Sequence, residues 1–162
     1  MRVAAVILLL ATVACAEPPQ LAHAVSSPEQ LAREVLTAVA RNDAEALRRL
    51  ALNEEEFREQ VWPGLPASRP ERNLPIEYVW SDLHQKSEAS LRRLLATRGG
   101  ERFELIELRF RGETSRYATG TVYRDPVFVV RDRAGRTAEL PFSGALFQKH
   151  GQWKVFSFVM DG

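Results

Sequence analysis

Trp80, His84 and Glu88 follow one another at a spacing of four residues. On a helix that spacing sets an indole, an imidazole and a carboxylate along one line. A histidine beside a carboxylate can give or take a proton near neutral pH. The commoner fate of such residues is to border an apolar core, with the imidazole at its edge and the carboxylate in water. Ser87 lies inside the apolar stripe of the same segment. Its hydroxyl either faces a pocket or bonds a preceding carbonyl of its own helix. Tyr117 and Tyr123 have the same strand parity if no bulge intervenes, with Thr119 and Thr121 between them and Gly120 as the place where a bulge would fall. A face carrying these hydroxyls suits the rim of a pocket. Glu107 and Arg109 fit a cross-strand or solvated charge pair better than a catalytic one.

Other chemistries lack their residues. His23 precedes the first helix, His150 sits in a tight turn, and the single cysteine, Cys15, lies near the start of the chain, so no cluster has metal-ligand spacing. No glycine-rich phosphate loop and no Gly-x-Ser-x-Gly turn is present. No metal and no cofactor is therefore expected. The residues expected to line a ligand site are Trp80, Ser87, Tyr117 and Tyr123, and no catalytic residue is assigned. His84 is the residue on which a catalytic alternative would rest.

The chain holds 22 basic and 21 acidic residues, and removing Arg2 with a leader balances them. A balanced chain has no net field to draw nucleic acid or an anionic bilayer. Met1 and Arg2 form a short positive region, and Val3 to Ala14 form an apolar run too short to span a bilayer. This reads as an export signal over 1–15, followed by a flexible tether over 16–26 and a single domain over 27–162. Thr12-Val13-Ala14-Cys15 looks like a bacterial lipobox, with Thr12 in place of the usual aliphatic residue, and makes Cys15 a lipid attachment site. Ala14-Cys15-Ala16 also fits ordinary signal peptidase, which leaves a secreted or soluble periplasmic product as the alternative. In either case the domain has no thiol pair and must rely on packing.

The elements that position these side chains follow from capping and periodicity. Ser27-Pro28-Glu29-Gln30 predicts a helix over about 28–41, Asp43 caps a second, and Asn53 with Glu56 caps a third that ends near Trp62-Pro63. Breakers fill "PGLPASRPERNLP", and a longer helix runs from about Pro75 to Gly99-Gly100. Strands follow over Phe103–Phe110, Arg116–Tyr123, Val127–Val130, Thr137–Phe147 and Gln152–Met160, with turns at Gly112, 133–136 and His150-Gly151. Asp125-Pro126 and Pro141 predict bulges or bends in an antiparallel meander. The last strand is apolar in both parities, so its second face needs a cover, either a partner sheet in a homodimer or helices and loops of the same chain. The fold class is α+β, with N-terminal helices packed on a strongly curved antiparallel meander.

Helices first and a curved meander after, with "NDAEALRRL" behind the first helix and "GQWKVFSF" closing the sheet, resembles the NTF2-like superfamily, the cystatin-like α+β cone. The resemblance covers about Ser27 to Asp161. It implies a cone whose mouth lies between the sheet and the helices, in a superfamily that includes ketosteroid isomerase, scytalone dehydratase and SnoaL-like cyclases beside many members without catalysis. The isomerase arrangement of a tyrosine with two pocket carboxylates has no matching stretch here, and the segment 63–75 is an addition. The expected function is an exported, lipid-anchored module that binds a small apolar ligand or a partner protein segment. The alternatives are a SnoaL-like lyase, isomerase or hydrolase centred on His84, and an envelope protein that dimerises through its sheet.

Overall fold

In the computed structural model, which describes residues 20–160, the helices start where their caps put them. The Ser27 hydroxyl accepts from the Gln30 amide at 3.1 Å, and Pro28 opens α1 (Pro28–Ala40). Gln30 reaches back to the Ser26 hydroxyl at 3.0 Å, one residue beyond the reach of a capping box. Asp43 caps α2 (Ala44–Leu50) by accepting from the Ala46 amide at 2.9 Å. Asn53 and Glu56 make a reciprocal capping box at α3 (Glu54–Glu56), which widens at once into a π-helical turn over Phe57–Val61. Short 3-10 turns carry the proline-rich segment to α4 (Ile76–Arg98). The Gly100 amide then donates to the Val39 carbonyl at 2.9 Å and ties the end of α4 to α1.

Cys15, the expected leader over 1–15 and residues 16–19 lie outside the described residues, as do the last two of the chain. The later part of the expected tether is no tether. Val25 and Trp153 exchange both backbone hydrogen bonds, at 3.1 and 2.8 Å, and the Leu21 amide donates to the Gln152 side chain at 3.0 Å. Leu21 is buried. An apolar side chain and a strand pairing fix this stretch where its polar neighbours in sequence suggest a linker.

The strands form two antiparallel sheets, in the orders β1-β4-β5 and β2-β3-β6-β7. They are β1 (Glu104–Phe110), β2 (Thr114–Tyr117), β3 (Gly120–Arg124), β4 (Pro126–Arg131), β5 (Thr137–Leu140), β6 (Ala145–Lys149) and β7 (Gln152–Ser157). Backbone bonds from Arg111 to Asp125 and from Gly112 to Arg124 carry the β1–β4 pairing into the β2–β3 pairing. The bond from the Asp125 amide to the Gly144 carbonyl, at 3.0 Å, links β5 and β6 to the same bend. β1 with β2, β3 with β4, and β5 with β6 are thus bent arms, and arms adjacent in sequence are adjacent in space. Asp125, at φ +48°, and Pro126 make one bend, and Pro141–Gly144 make another.

Two local expectations need correction. The chain reverses at Ala118-Thr119, not at Gly112, and Tyr117 stands opposite Gly120 with no register shift. Gly120 marks a close approach: a Cβ there would lie 2.6 Å from the Phe147 ring. The bulge falls instead between Leu105 and Glu107. It lets Leu105, Leu108 and Phe110 all reach the core while Glu107 and Arg109 point out, which resolves a strand that has no clean alternation in sequence. Arg109 there pairs with Glu107 at 2.6 Å and with Glu139 at 3.0 Å.

The bent sheet divides two apolar cores. Leu31, Val35, Val39, Leu47, Leu91 and Leu94 pack on Phe128, Phe142, Leu146 and Val155 in the first. Leu21, Leu52, Phe57 and Val61 pack on Val122 and Phe147 in the second, with Trp80, Leu83 and Phe156 at its margin. The second face of β7 is therefore covered by the same chain, and the observation that called for a partner sheet is accounted for. Since β7 ends at Ser157, Phe158 leaves the strand's parity and enters the first core beside Val155.

Lys154 is buried in the seam of this arrangement. Its ammonium donates to both oxygens of Glu56, at 3.1 and 2.8 Å, with both side chains almost fully enclosed. Glu56 also accepts from the Ala22 amide at 2.7 Å and from the Asn53 amide at 3.0 Å. Burial pushes the Lys154 ammonium below the ordinary lysine value, against the raising effect of Glu56. Removing one member of such a pair strands the other in a dry site and costs about 3–5 kcal/mol, whereas replacing both can be close to neutral. Glu56→Gln is therefore expected to lower unfolding free energy by about that amount. Adding Lys154→Met to it should restore much of the loss. Urea unfolding of the four proteins of this double-mutant cycle checks the coupling, and additivity within about 0.5 kcal/mol would refute it.

Candidate functional site

Helix α4 brings Trp80, Leu83, His84, Ser87, Glu88 and Leu91 to one side of a groove of about 320 Å³. The stretch from Ala51 to Glu54 forms the facing wall, and Phe156 and Phe158 close the base. The groove lies at the meeting of the two cores: Leu91 and Phe158 belong to the first, and Trp80, Leu83 and Phe156 border the second. Its position follows from the helix period. The stripe Trp80, Leu83, Ser87, Leu91 must turn toward the sheet, and because β7 ends at Ser157 the sheet fills only part of the space beneath it.

Trp80 and His84 meet as the spacing predicts. Their rings stack with centroids 5.4 Å apart and planes 21° apart, and the other side of Trp80 approaches Phe57 at 5.2 Å. His84 itself is exposed. Glu88 does not serve it. Arg48, from α2, forks onto both Glu88 oxygens at 3.0 and 2.9 Å and reaches Glu45 at 2.5 Å. A bidentate guanidinium holds a carboxylate ionised and in place. The Arg48 bond accordingly pulls the Glu88 carboxyl below its ordinary value of 4.5, and the same contacts raise Arg48. The imidazole thus has no carboxylate to orient it, and the groove holds no acid–base pair.

Ser87 faces the groove, but its oxygen accepts from the Phe158 amide at 2.9 Å. Neither of the two expected roles describes this bond. It fixes the chain leaving β7 to α4 and satisfies a donor beside a buried phenylalanine. Tyr117 and Tyr123 are not in the groove and do not share a face. Tyr117 pairs with Gly120, three residues before Tyr123, so the hairpin turns the two rings to opposite sides of the sheet. Tyr117 packs on the second core, while the Tyr123 ring lies 4.9 Å from Trp153 and 5.1 Å from Phe110.

Of the four ligand-site residues read from sequence, the structure gathers Trp80 and Ser87, adds His84 beside them, and excludes both tyrosines. Sequence reading misses Arg48, Phe156 and Phe158. The Arg48–Glu88 pair spans forty residues and carries no local pattern. Phe156 and Phe158 stand in an apolar run whose double parity was visible, but which core each joins depends on where β7 stops. Among the described residues no three His, Cys, Asp or Glu side chains gather as metal ligands would.

Glu88 has a depressed folded-state value, so its contribution to stability is present above the unfolded value near 4.5 and fades as pH falls through the folded one. The stability gap between the wild type and Glu88→Gln should accordingly shrink between about pH 5 and pH 3. Urea unfolding at several pH values measures it, and a gap that widens on acidification would contradict the pairing. Ser87→Ala should cost about 1–3 kcal/mol, because the Phe158 amide loses its acceptor. Thermal unfolding reads that loss, and an unchanged midpoint would show that the amide finds another acceptor. Comparison of the chain with known protein families, with characterised proteins and with solved structures finds no match.

Proposed function

We propose that this protein is an exported, lipid-anchored module of the NTF2-like type that binds a small apolar ligand without catalysis, in the groove between α4 and the end of β7. The single observation that carries the reading is the pairing of that groove's apolar base with rim charges already engaged. Trp80, Leu83 and Phe156, each partly exposed, offer an apolar surface over the buried Leu91 and Phe158, whereas Glu88 is held by Arg48. A site of a few hundred Å³ with an apolar base and a polar rim whose charges are paired suits a small molecule. Catalysis by His84 would need an oriented base, and the carboxylate one helical turn away is turned elsewhere.

What supports the fold-family part of the reading is the order of elements: helices first, then bent antiparallel arms, with "GQWKV" in the closing strand. The anchoring part rests on the apolar run that ends at Cys15. No helix among the described residues is long and apolar enough to cross a membrane. The bacterial cell envelope is the proposed location, with a soluble periplasmic or secreted form following if Cys15 is not acylated.

Native mass spectrometry of the protein purified from its own membrane tests both parts. The expected spectrum shows acylation at Cys15 and a co-purified apolar molecule. Trp80→Ala should retain the acyl mass and lose most of the ligand. A wild-type protein that is always empty, and whose groove takes up no apolar fluorophore, would overturn the binding reading. Conversion of a carbonyl, ester or hydroxylated substrate that is abolished by His84→Ala would favour the catalytic alternative.

A further inference from the structure

Balanced net charge conceals an uneven surface. Arg33 on α1, Arg41 just after it, Arg49 on α2 and Arg102 ahead of β1 are exposed and make no salt bridge among the described residues. Arg33, Arg41 and Arg102 line one shallow groove of about 760 Å³ whose floor includes Leu36 and Phe103. The one carboxylate of that lining, Glu104, is held by Arg131 at 3.4 Å. Through Arg102 and Phe103 the groove continues into a second one that carries Arg133. There the carboxylates Glu101 and Asp132 are held by Arg98 and Arg136, at 3.3 and 2.7 Å. On its other side Thr37 and Arg41 also border the depression beside His23 and Val25, where Arg49 stands with Glu34, a carboxylate that makes no salt bridge among the described residues.

The free guanidinium groups thus form a belt that runs up to the segment by which the chain enters the fold. Leu21 and Val25 fix that segment to β7. From Cys15 to Leu21 is six residue steps, which fully extended reach at most about 20 Å. A chain held at Cys15 therefore keeps the belt close to the surface that holds it.

We propose that this arginine belt docks on an anionic phospholipid surface. The proposal rests on the exported, lipid-anchored reading for the place where the protein meets that surface. Guanidinium forks match phosphate oxygens, and several unpaired ones near a bilayer of anionic headgroups add their attractions within a Debye length. Phe103, partly buried between the two grooves, gives the belt an apolar floor at its centre. Arg33, Arg41 and Arg102 lie along α1 and ahead of β1 and line none of the α4 groove, so ligand binding and membrane contact use different residues.

The test uses the full chain carrying Cys15→Ser, so that no acyl group holds it to vesicles. Binding is measured to vesicles of phosphatidylcholine alone and with about a third phosphatidylglycerol; the first register whatever the N-terminal segment contributes. We expect a preference for anionic vesicles that weakens with salt. Arg33→Gln, Arg41→Gln and Arg102→Gln together should reduce it by about a hundredfold, at roughly fivefold per arginine. Arg69→Gln, Arg72→Gln and Arg116→Gln, an equal charge change off the belt, should leave it in place. Matching thermal midpoints show that the variants are folded; should the triple variant melt early, Arg102→Gln alone is read against its fivefold expectation. No anionic preference, an equal loss in the off-belt variant, or displacement by millimolar inorganic phosphate at constant ionic strength would each overturn the proposal, the last by making the belt a site for free anions. The mass at Cys15 in the wild-type chain is a separate readout: an unacylated chain that prefers anionic vesicles removes the anchor and leaves the belt standing.

Discussion

The buried pair of Glu56 and Lys154 is the constraint on which the rest of the structure depends. Glu56 caps α3 through the Asn53 amide, holds the entering chain through the Ala22 amide, and receives the ammonium of a residue in the middle of β7. One carboxylate thus connects three segments remote in sequence. Because a buried carboxylate that lost any of these partners would be left with unmet polar capacity, the segments are bound to form together. Such a pair contributes less to net stability than its geometry suggests, since two desolvated charges are costly to bring inside. Its effect is better described as fixing register: α3 cannot slide along β7, and the entering strand cannot leave, without exposing the pair.

Around that point the sheet does two jobs. Its bends at Asp125-Pro126 and Pro141–Gly144 let one set of strands present one face to α1, α2 and the C-terminal half of α4, and the other face to the π-helical turn and the N-terminal half of α4. The groove on α4 exists because these cores do not merge completely beneath that long helix. Its residues are accordingly a mixture: Ser87 serves the fold by accepting from Phe158, Arg48 and Glu88 join α2 to α4, and the half-buried Trp80 stacks with the exposed His84. The electrostatic consequence is that Arg48 and Glu88 are spent on structure, which leaves shape and apolar area as what the proposed binding would use.

The opposite division holds along α1. In the groove beside it Arg33, Arg41 and Arg102 make no salt bridge among the described residues and the one carboxylate, Glu104, is held by Arg131, while Leu36 and Phe103 are committed to the core. A chain with almost equal numbers of basic and acidic residues carries this asymmetry in how those residues are placed and paired. Net charge says little about a surface once one sign has been used internally.

Capping and periodicity are local, and what they specify was legible. Ser27, Asp43 and the Asn53–Glu56 box start their helices as written, the stripe of α4 faces inward, and the bends at Asp125-Pro126 and near Pro141 lie where proline denies a ladder hydrogen bond. The α+β class and the residues Trp80, His84 and Ser87 of the groove follow from the same signals. Hairpin reversal at Ala118-Thr119 carries no Asn-Gly or Asp-Gly signature, so the facing of Tyr117 and Tyr123 could not be read, and one residue of bulge at Ile106 inverted the parity of β1. Long-range pairing left no trace either: Lys154 with Glu56, Arg48 with Glu88 and Val25 with Trp153 join residues whose separations exceed any local period. The sequence by itself determined where the helices begin and where proline bends the strands, because those depend on neighbouring residues. Tertiary structure alone decided which charges are free, which faces are covered and where a groove remains, because those depend on which distant partner arrives.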